Sequence, residues 1–160
     1  GLIAGASEGL GAAYADALAS RGLDLILIAR RAAVLEEVAT RLRDTYSVQV
    51  ECHSMDLSQP DLANRLEAIT ANHRIGLGIY NAAYAPVGGF LDSDPADLEH
   101  ILNVNARGPL VFARIVGAQL AARGHGGLVF MSSLAGFQGT PRLATYAGTK
   151  AFNTILTKKL

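Results

Sequence analysis

The chain has 160 residues, half of which are hydrophobic, so it is long enough to form one domain with a sizeable core over residues 1–160. Its 14 basic and 14 acidic side chains give a formal net charge of zero, which supplies no long-range field for nucleic acid or anionic lipid and favours a small-molecule partner. Cys52 is the only cysteine, and the longest uncharged stretch, residues 75–91, is shorter than the roughly 20 apolar residues of a spanning helix, so we expect no disulfide, no membrane span and a cytoplasmic location.

Short apolar runs alternate along the chain with longer segments that have helical periodicity. The apolar runs predict strands at residues 1–4, 23–29, 48–55, 77–81 and 128–132. The periodic segments predict helices at residues 10–20, 34–46, 60–72, 95–123 and from 145 onward. Continuous apolar strands are typical of a parallel sheet that is covered on both faces. The alternation therefore predicts a doubly wound α/β fold.

Two of the predicted helices begin at a proline. Ser58 or Gln59 precedes Pro60, and Asp94 precedes Pro95. Proline suits the first helical position because its missing N–H would have no acceptor there, and short polar side chains before it accept hydrogen bonds from the free N–H groups. We therefore expect a polar cap at both helix starts.

A glycine-rich turn, Gly5-Ala-Ser-Glu-Gly9-Leu-Gly11, separates the first predicted strand from the first predicted helix. Glycines let the backbone turn sharply and approach a pyrophosphate at the helix N-terminus, so the turn indicates a dinucleotide site. Glycine-rich turns also occur where only close packing requires them, and this alternative remains open.

The residues that follow the second and third strands bear on the choice of coenzyme. Ala29 stands where an acidic residue would hold the ribose hydroxyls of NAD, and Arg30 and Arg31 follow it. A guanidinium can bind a 2′-phosphate through two hydrogen bonds, so the pair favours NADP, unless both arginines are simply solvated at the start of the next helix. Glu8 argues against NADP because its carboxylate lies on the phosphate side of the turn. Asp56 could bind the adenine amino group or cap the following turn.

Tyr146 and Lys150 are four residues apart in the last predicted helix, which puts a phenol and an ammonium on the same face. At about 5 Å and an effective dielectric near 20, the ammonium stabilises a phenolate by roughly 3 kcal/mol, so the tyrosine becomes usable as an acid or base near neutral pH. Ser133 places a hydroxyl at the end of the fifth strand. A tyrosine and a lysine at this spacing can equally be neighbours on a solvated helix.

Together, these motifs resemble the short-chain dehydrogenase/reductase family, in its single-domain branch. The resemblance covers the whole chain and depends on the order and separation of Gly5-x3-Gly9-x-Gly11, Asn81-Ala82, Asn105, Ser133 and Tyr146-x3-Lys150. It implies a Rossmann-like fold and a reversible hydride transfer between nicotinamide and a carbonyl or alcohol carbon, with NADP(H) favoured over NAD(H). The sequences of the glycine turn and of the segment after Ser133 are loosely similar to those of bacterial relatives of acyl-thioester and steroid ketoreductases.

The resemblance also implies roles for individual side chains. Tyr146 would protonate the developing alkoxide, Lys150 would assist it and hold the nicotinamide ribose, and Ser133 would polarise the substrate oxygen. Asn105 would interrupt the long helix and hold a water that links Lys150 to solvent. The structural alternatives are that Asn105 caps a kink and that Ser132 or Ser133 only satisfies strand-end backbone.

Coenzyme contacts are implied for four segments and for the helix that bears Tyr146 and Lys150. They are Gly5, Ser7, Glu8, Gly9, Leu10, Gly11, Arg30, Arg31, Asp56, Leu57, Asn81, Ala82, Tyr146 and Lys150. Ser133 and Tyr146 would contact the substrate, while Asn81 has the alternative role of pinning a turn. An apolar substrate is suggested by the residues near the nicotinamide, which are Pro86, Val87, Phe90, Leu134, Phe137 and Gln138.

The sequence departs from the family pattern at Ala4, where threonine is usual, at Tyr80, where a first asparagine is usual, and at Ala83, where glycine is usual. The family also continues beyond the Tyr-x3-Lys helix through two further strands, a substrate-covering segment and a last helix. We therefore expect this chain to be part of a longer protein, trimmed at both ends, with an incomplete substrate pocket.

Two other functions were considered. A non-catalytic nucleotide-binding or scaffold module would keep the fold, and the unusual Tyr80 and Ala83 weakly favour such a module. The presence of Ser133, Tyr146 and Lys150 together argues against it. An epimerase or dehydratase of the extended branch would have Gly-x2-Gly-x2-Gly spacing, which this chain lacks.

The four histidines are scattered and form no HExxH pair, so no metal site is expected. In this family, apolar helices such as 95–123 often pack against a second subunit, so a homodimer or homotetramer is expected.

Overall fold

The computed structural model describes residues 1–158 and 160. Five strands form one sheet, and they are β1 (Leu2–Ala4), β2 (Leu25–Ala29), β3 (Val50–Ser54), β4 (Leu77–Tyr80) and β5 (Gly127–Phe130). The strand order is β3-β2-β1-β4-β5, and every neighbouring pair is parallel. This confirms the doubly wound parallel sheet.

Seven α-helices connect or follow the strands. They are α1 (Gly9–Ala19), α2 (Ala32–Tyr46), α3 (Leu62–Thr70), α4 (Pro95–Leu102), α5 (Gly108–Arg123), α6 (Ala135–Gln138) and α7 (Ala144–Thr157). A 3₁₀ helix spans Phe90–Asp92, and a π turn spans Asn103–Arg107 between α4 and α5. No helix in the described part of the chain has the length and apolar character that crossing a bilayer requires.

Alternate residues of the strands face two apolar layers, as the two-residue repeat of a strand dictates. On one face, Leu2 and Ile28 pack with α3 and α5, where Phe112 is fully buried. On the other face, Ile3 and Leu27 pack with α1 and α2. Burial on both faces explains why the central strands are continuously hydrophobic. Because all neighbouring strands are parallel, the carboxyl ends of the five strands lie at one edge of the sheet, and the candidate site is at this edge.

The predicted start of one helix was wrong, whereas the long predicted helix is interrupted as the resemblance implied. The helix predicted over residues 60–72 begins at Leu62, and neither Ser58 nor Gln59 caps it. Ser58 instead donates its main-chain N–H and its hydroxyl to Asp56. The helix predicted over residues 95–123 is divided by the π turn, while the predicted cap at Asp94 is confirmed because its carboxylate accepts from the N–H of Ala96 at 2.8 Å.

Candidate functional site

The glycine turn is held against the loop that follows β4. Gly5 has a φ of +84°, and a β-carbon there would stand 2.6 Å from the main-chain nitrogen of Ala82. A β-carbon at Gly11 would stand 1.9 Å from the main-chain oxygen of Gly5. Gly9 has a φ of +54° and faces open space. Two of the glycines are therefore required by close packing, whereas Gly9 leaves room in front of the first turn of α1.

The side chain of Asn81 fixes the same turn. Its amide Nδ2 donates to the main-chain oxygen of Gly5 at 3.0 Å. The alternative role of Asn81, to pin a turn, is therefore present in the structure, and the residue also borders the adjoining cavity. The first N–H groups of a helix have no acceptor within the helix, so the N-terminus of α1 presents donors to this cavity.

A cavity of about 360 Å³ runs from the glycine turn across the ends of β2, β3 and β4. Most of the residues expected to contact a coenzyme line it, namely Gly5, Ser7, Glu8, Gly9, Leu10, Arg30, Arg31, Asp56, Leu57, Asn81 and Ala82. Gly11 lies behind the turn, and Tyr146 and Lys150 lie outside this cavity. Ala83, Tyr84 and Val104 also line it. The open space at Gly9 and the helix N-terminus are features that suit the phosphates of a nucleotide.

Glu8 and Arg31 face each other at one end of this cavity. The guanidinium Nη2 of Arg31 lies 2.7 Å from a carboxylate oxygen of Glu8, and both side chains are largely exposed. Arg30 forms no ion pair with any residue that the structure describes. The two arginines thus differ, because one cation is already matched by a carboxylate and the other is available for an anion.

Asp56 closes the far side of the cavity and caps a turn. Its Oδ1 accepts from the N–H of Ser58 at 2.9 Å and from the hydroxyl of Ser58 at 2.8 Å. Partial burial opposes ionisation, but these hydrogen bonds and one from Gln59 outweigh it and lower the pKa of Asp56. Asp56 is therefore an ionised acceptor, and the turn-capping alternative describes at least one of its oxygens.

The structure brings Tyr146 and Lys150 together on α7. The ammonium of Lys150 lies 5.5 Å from the centre of the Tyr146 ring. The Lys150 side chain is buried, and its Nζ donates to the main-chain oxygen of Met131, just beyond β5, at 2.5 Å. Burial lowers the pKa of Lys150 from its ordinary value, because a charged group is less stable away from water. A buried cation therefore stands beside the half-buried phenol ring of Tyr146.

Ser133 lies in the segment that links β5 to α6. Its hydroxyl oxygen accepts from the N–H of Ala135 at 3.2 Å, so it caps the short helix. Helix α6 packs closely on α7, since a β-carbon at Gly136 would stand 2.8 Å from the main-chain nitrogen of Ala151 and 2.8 Å from the main-chain carbon of Lys150. The position of Ser133 relative to α7 thus depends on a close contact at Gly136 that only glycine permits.

Asn105 lies in the π turn and is fully buried. Its side-chain Oδ1 accepts from the N–H of Tyr84, and its Nδ2 donates to the oxygen of Tyr84, each at 2.8 Å. Its main-chain oxygen accepts from Nδ2 of Asn153 at 2.8 Å. The expected interruption of the long helix is present, and the main-chain oxygen of Asn105 is occupied by a hydrogen bond from the side chain of Asn153.

Tyr80 supports the same π turn from β4. Its hydroxyl donates to the main-chain oxygen of Val104 at 2.7 Å. A β-carbon at Gly108 would stand 2.1 Å from that hydroxyl, so Gly108 provides the space it occupies. The ring packs edge-on against Phe112 at 5.5 Å. The unusual tyrosine is thus an integral part of the core beside Asn105.

A second cavity, of about 380 Å³, lies beside Tyr146. Pro86, Val87 and Phe90 line it, as expected for the substrate side, whereas Leu134 and Phe137 are exposed outside it. The N–H of Gly88 donates to the oxygen of Arg142 at 3.0 Å, which ties the loop to the segment before α7. The hydroxyl of Tyr84 donates to Asp97 at 3.3 Å at the boundary between the two cavities.

Three residues that position the site were not predicted from the sequence, namely Tyr84, Gly136 and Asn153. Only Asn153 had a usable signal, because a polar residue three positions after Lys150 lies on the same helical face. The histidines were also less scattered than expected, since His53 and His73 lie 2.6 and 3.1 Å from the two carboxylate oxygens of Glu51. Within residues 1–158 and 160, no group of three or more side chains is arranged for a metal.

Comparisons with known proteins agree with this geometry. A model of the family described as short chain dehydrogenase matches residues 2–160. The very-long-chain 3-oxoacyl-CoA reductase of Podospora anserina is 38% identical over 157 residues, covering 94% of this chain and 46% of that protein. The 7beta-hydroxysteroid dehydrogenase of Clostridium sardiniense is 32% identical over 161 residues, covering 99% of this chain and 60% of that protein.

Solved structures give the same result. A short-chain dehydrogenase from Sphingobium yanoikuyae in complex with NADPH matches with a TM-score of 0.94 and 36% identity, covering 99% of this chain and 63% of that one. The chain therefore spans between 46% and 63% of the length of these three relatives. Their complete activities are properties of longer proteins.

Proposed function

Because the chain belongs to the short-chain dehydrogenase family, whose members are oxidoreductases acting on CH–OH groups, we propose that it supplies the coenzyme-binding and proton-transfer parts of an NADP(H)-dependent carbonyl reductase. The family match confirms the resemblance read from the five motifs. The reaction proposed is the interconversion of a ketone and a secondary alcohol.

The observation that carries this proposal is the placement of the Lys150 ammonium beside the Tyr146 ring. The two side chains are 5.5 Å apart from nitrogen to ring centre, and the lysine donates to the main-chain oxygen of Met131 and has no carboxylate partner among the described residues. An ammonium paired with a carboxylate would have most of its field cancelled. Here the positive charge is left to act on the phenol, so Tyr146 can exchange a proton with a substrate oxygen.

The other residues have supporting tasks in this proposal. A bound nicotinamide supplies or accepts the hydride. Ser133 donates a hydrogen bond to the substrate oxygen, which requires its hydroxyl proton to point away from Ala135, and this is possible because the oxygen acts there only as an acceptor. Lys150 has two further N–H donors besides the one to Met131, which suit the hydroxyls of the nicotinamide ribose.

We propose NADP(H) as the coenzyme because of Arg30. Arg30 lines the coenzyme cavity directly after β2, and its guanidinium has no ion-pair partner among the described residues. Arg31 contributes less because Glu8 already matches its charge. Substitution Arg30→Asp should shift the ratio of kcat/KM values toward NADH, and an unchanged ratio would refute this assignment.

The substrate proposed is apolar, because Pro86, Val87 and Phe90 line the cavity beside Tyr146. The two named relatives reduce or oxidise molecules of that kind, a very-long-chain 3-oxoacyl-CoA and a hydroxysteroid. A homodimer or homotetramer also belongs to this proposal, since Leu102 and Leu110 on one side of the π turn and Ile155 on α7 are exposed. The compartment proposed is the cytoplasm, for which the single cysteine is the only argument.

The decisive experiment follows NADPH absorbance in the full-length protein with a panel of apolar ketones and 3-oxoacyl thioesters. Tyr146→Phe should abolish turnover while NADPH binding, measured by fluorescence, stays within about threefold, because the phenol donates a proton without holding the coenzyme cavity together. Tyr46→Phe is the matched control, since that hydroxyl contacts Asp16 on the opposite face of the sheet. If Tyr146→Phe keeps the wild-type turnover, Tyr146 is not the proton donor.

A further inference from the structure

Asn153 lies on α7, three positions after Lys150, and it is only 2% exposed. Its Nδ2 donates to the main-chain oxygen of Asn105 at 2.8 Å. Asparagine is a poor helix former, and an apolar side chain of the same size would be better suited to a buried helical position. The contact to Asn105 therefore accounts for the presence of an asparagine at this site.

The partner of Asn153 continues the connection toward the coenzyme cavity. Asn105 holds both main-chain groups of Tyr84 through its side-chain amide, at 2.8 Å each. Tyr84 in turn lines the coenzyme cavity, and its hydroxyl reaches Asp97 on the border of the substrate cavity. A continuous series of buried hydrogen bonds thus runs from the helix of Tyr146 to the wall of the coenzyme cavity.

Two side chains bind main-chain oxygens of the π turn. The π turn widens the helix and changes which groups its carbonyls meet, so the oxygens of Val104 and Asn105 accept from side chains, Tyr80 and Asn153 respectively. Tyr80 fixes the turn to the sheet, whereas Asn153 fixes it to α7. Losing Asn153 would leave the buried oxygen of Asn105 unpaired and free α7 to shift relative to the turn.

The second polar atom of Asn153 is informative as well. Its Oδ1 is buried and accepts no hydrogen bond from any residue that the structure describes. A side chain that only filled space would not place an unpaired acceptor in the interior, because that carries a free-energy penalty. The amide orientation is thus set by the donor contact to Asn105 even at the expense of the acceptor.

We propose that Asn153 is a positioning residue that fixes the distance between the helix carrying Tyr146 and the wall of the coenzyme cavity formed by Tyr84. It acts through Asn105 and touches neither substrate nor coenzyme. The proposal rests on the proposed function, because the distance it sets is the one between the proton donor and the bound nicotinamide. Displacement of reacting groups by about 1 Å costs up to about a hundredfold in rate, so the predicted effect is on kcat.

The test compares the full-length wild-type protein with Asn153→Leu, which keeps the branched shape of the side chain and removes both polar atoms. We expect kcat to fall about tenfold or more, while the dissociation constant for NADPH stays within about threefold. The primary deuterium isotope effect on kcat with NADPH labelled at the transferred position should rise, because hydride transfer becomes slower relative to product release. Thr157→Val is the matched control, since its hydroxyl donates only to main-chain oxygens of the same helix, those of Asn153 and Thr154, and its loss leaves the contact between the Asn153 side chain and Asn105 in place.

A double-mutant cycle identifies the path. Asn105→Ala breaks the next link, so Asn153→Leu should add little to the loss of kcat in that background. If Asn153→Leu does not fold, Asn153→Ser provides the same comparison, because its hydroxyl is too short to reach Asn105. A folded variant with unchanged kcat and unchanged isotope effect would overturn the positioning role while leaving the proposed function intact. A wild-type protein that binds NADPH but turns over no ketone or thioester would overturn both.

Discussion

Gly11 and Gly5 approach each other so closely that a β-carbon at Gly11 would stand 1.9 Å from the main-chain oxygen of Gly5. The amide of Asn81 donates to that same oxygen at 3.0 Å and would stand 2.8 Å from the same β-carbon. The first helix is therefore seated directly on the turn that precedes it. The third glycine of the motif is required by this packing, and its effect on the coenzyme is indirect.

Gly11→Ala should accordingly destabilise the protein by about 3 kcal/mol or more and abolish NADPH binding, because neither the backbone of Gly5 nor Asn81 can move without opening the turn. Urea denaturation and coenzyme fluorescence would measure the two effects. Gly22→Ala is the control, since Gly22 has a φ of +76° but faces open space, so that only a backbone penalty of about 1 kcal/mol is expected. Equal losses in the two variants would show that the close contact is unimportant.

The ion pair between Glu8 and Arg31 should weaken NADP(H) binding. Glu8→Gln removes a competing carboxylate and a repulsive charge, so the dissociation constant for NADP⁺ should fall by about two- to fivefold at low salt, with NAD⁺ changed by less than twofold. Titration calorimetry at two ionic strengths would measure both coenzymes. Asp16→Asn breaks an equivalent exposed pair with Arg41 far from the cavity and should change neither constant. Weaker NADP⁺ binding by Glu8→Gln would instead make Glu8 a direct coenzyme contact.

Gly136 and Gly148 offer a matched pair of substitutions near the same helix. Gly136→Ala should lower kcat at least tenfold, because the added methyl group pushes α6 and Ser133 away from the backbone at Lys150. Gly148→Ala meets nothing within 4 Å and should stabilise the helix by about 0.5–1 kcal/mol. Steady-state kinetics and thermal denaturation separate the two outcomes. Retained activity in a folded Gly136→Ala protein would contradict the proposed placement of Ser133.

Tyr80 should make the protein sensitive to alkali. Burial raises the pKa of Tyr80 well above its ordinary value, so the folded protein keeps this proton while the unfolded chain loses it near pH 10. The stability is therefore fully present below about pH 10 and declines above it by up to about 1.4 kcal/mol per pH unit. Tyr80→Phe should decline less steeply, although it starts lower by about 1–3 kcal/mol because the oxygen of Val104 loses its donor.

Urea denaturation between pH 8 and pH 11 would test this expectation. The comparison of slopes isolates Tyr80 from the other tyrosines, since both proteins share them. Parallel curves for the wild type and Tyr80→Phe would mean that the hydroxyl ionises in the folded state.

The strand pattern and the order of elements were predictable because a sheet buried on both faces needs continuous apolar strands, as in Leu25–Ala29. The grouping of Tyr146 with Lys150 was predictable because it depends on helical spacing alone. The contacts of Asn105 were not, because its partners Tyr84 and Asn153 come from distant parts of the chain. Pairings across such separations depend on the assembled fold and leave no local pattern.

The start of α3 shows the same limit on a smaller scale. Local rules favour a cap at Ser58 or Gln59 before Pro60, but the carboxylate of Asp56 takes the N–H and the hydroxyl of Ser58. Helix-capping preferences assign Ser58 to the start of the helix, but in the structure Ser58 closes a turn with Asp56 at the coenzyme cavity. The roles of Glu8 and Arg31 at the coenzyme cavity were likewise open from the sequence, because their contact becomes visible only in the folded chain.

Lys150 is anchored on the main-chain oxygen of Met131, and this has a consequence for how the protein can be studied and can evolve. Every amino acid offers that oxygen, so no replacement at Met131 deletes the acceptor. An alanine substitution there would report only on the side chain, whose sulfur accepts from the hydroxyl of Tyr14 at 3.7 Å, and would leave the acceptor of the ammonium in place. Only a change in the path of the backbone after the last strand, such as an insertion or deletion there, would reveal the dependence.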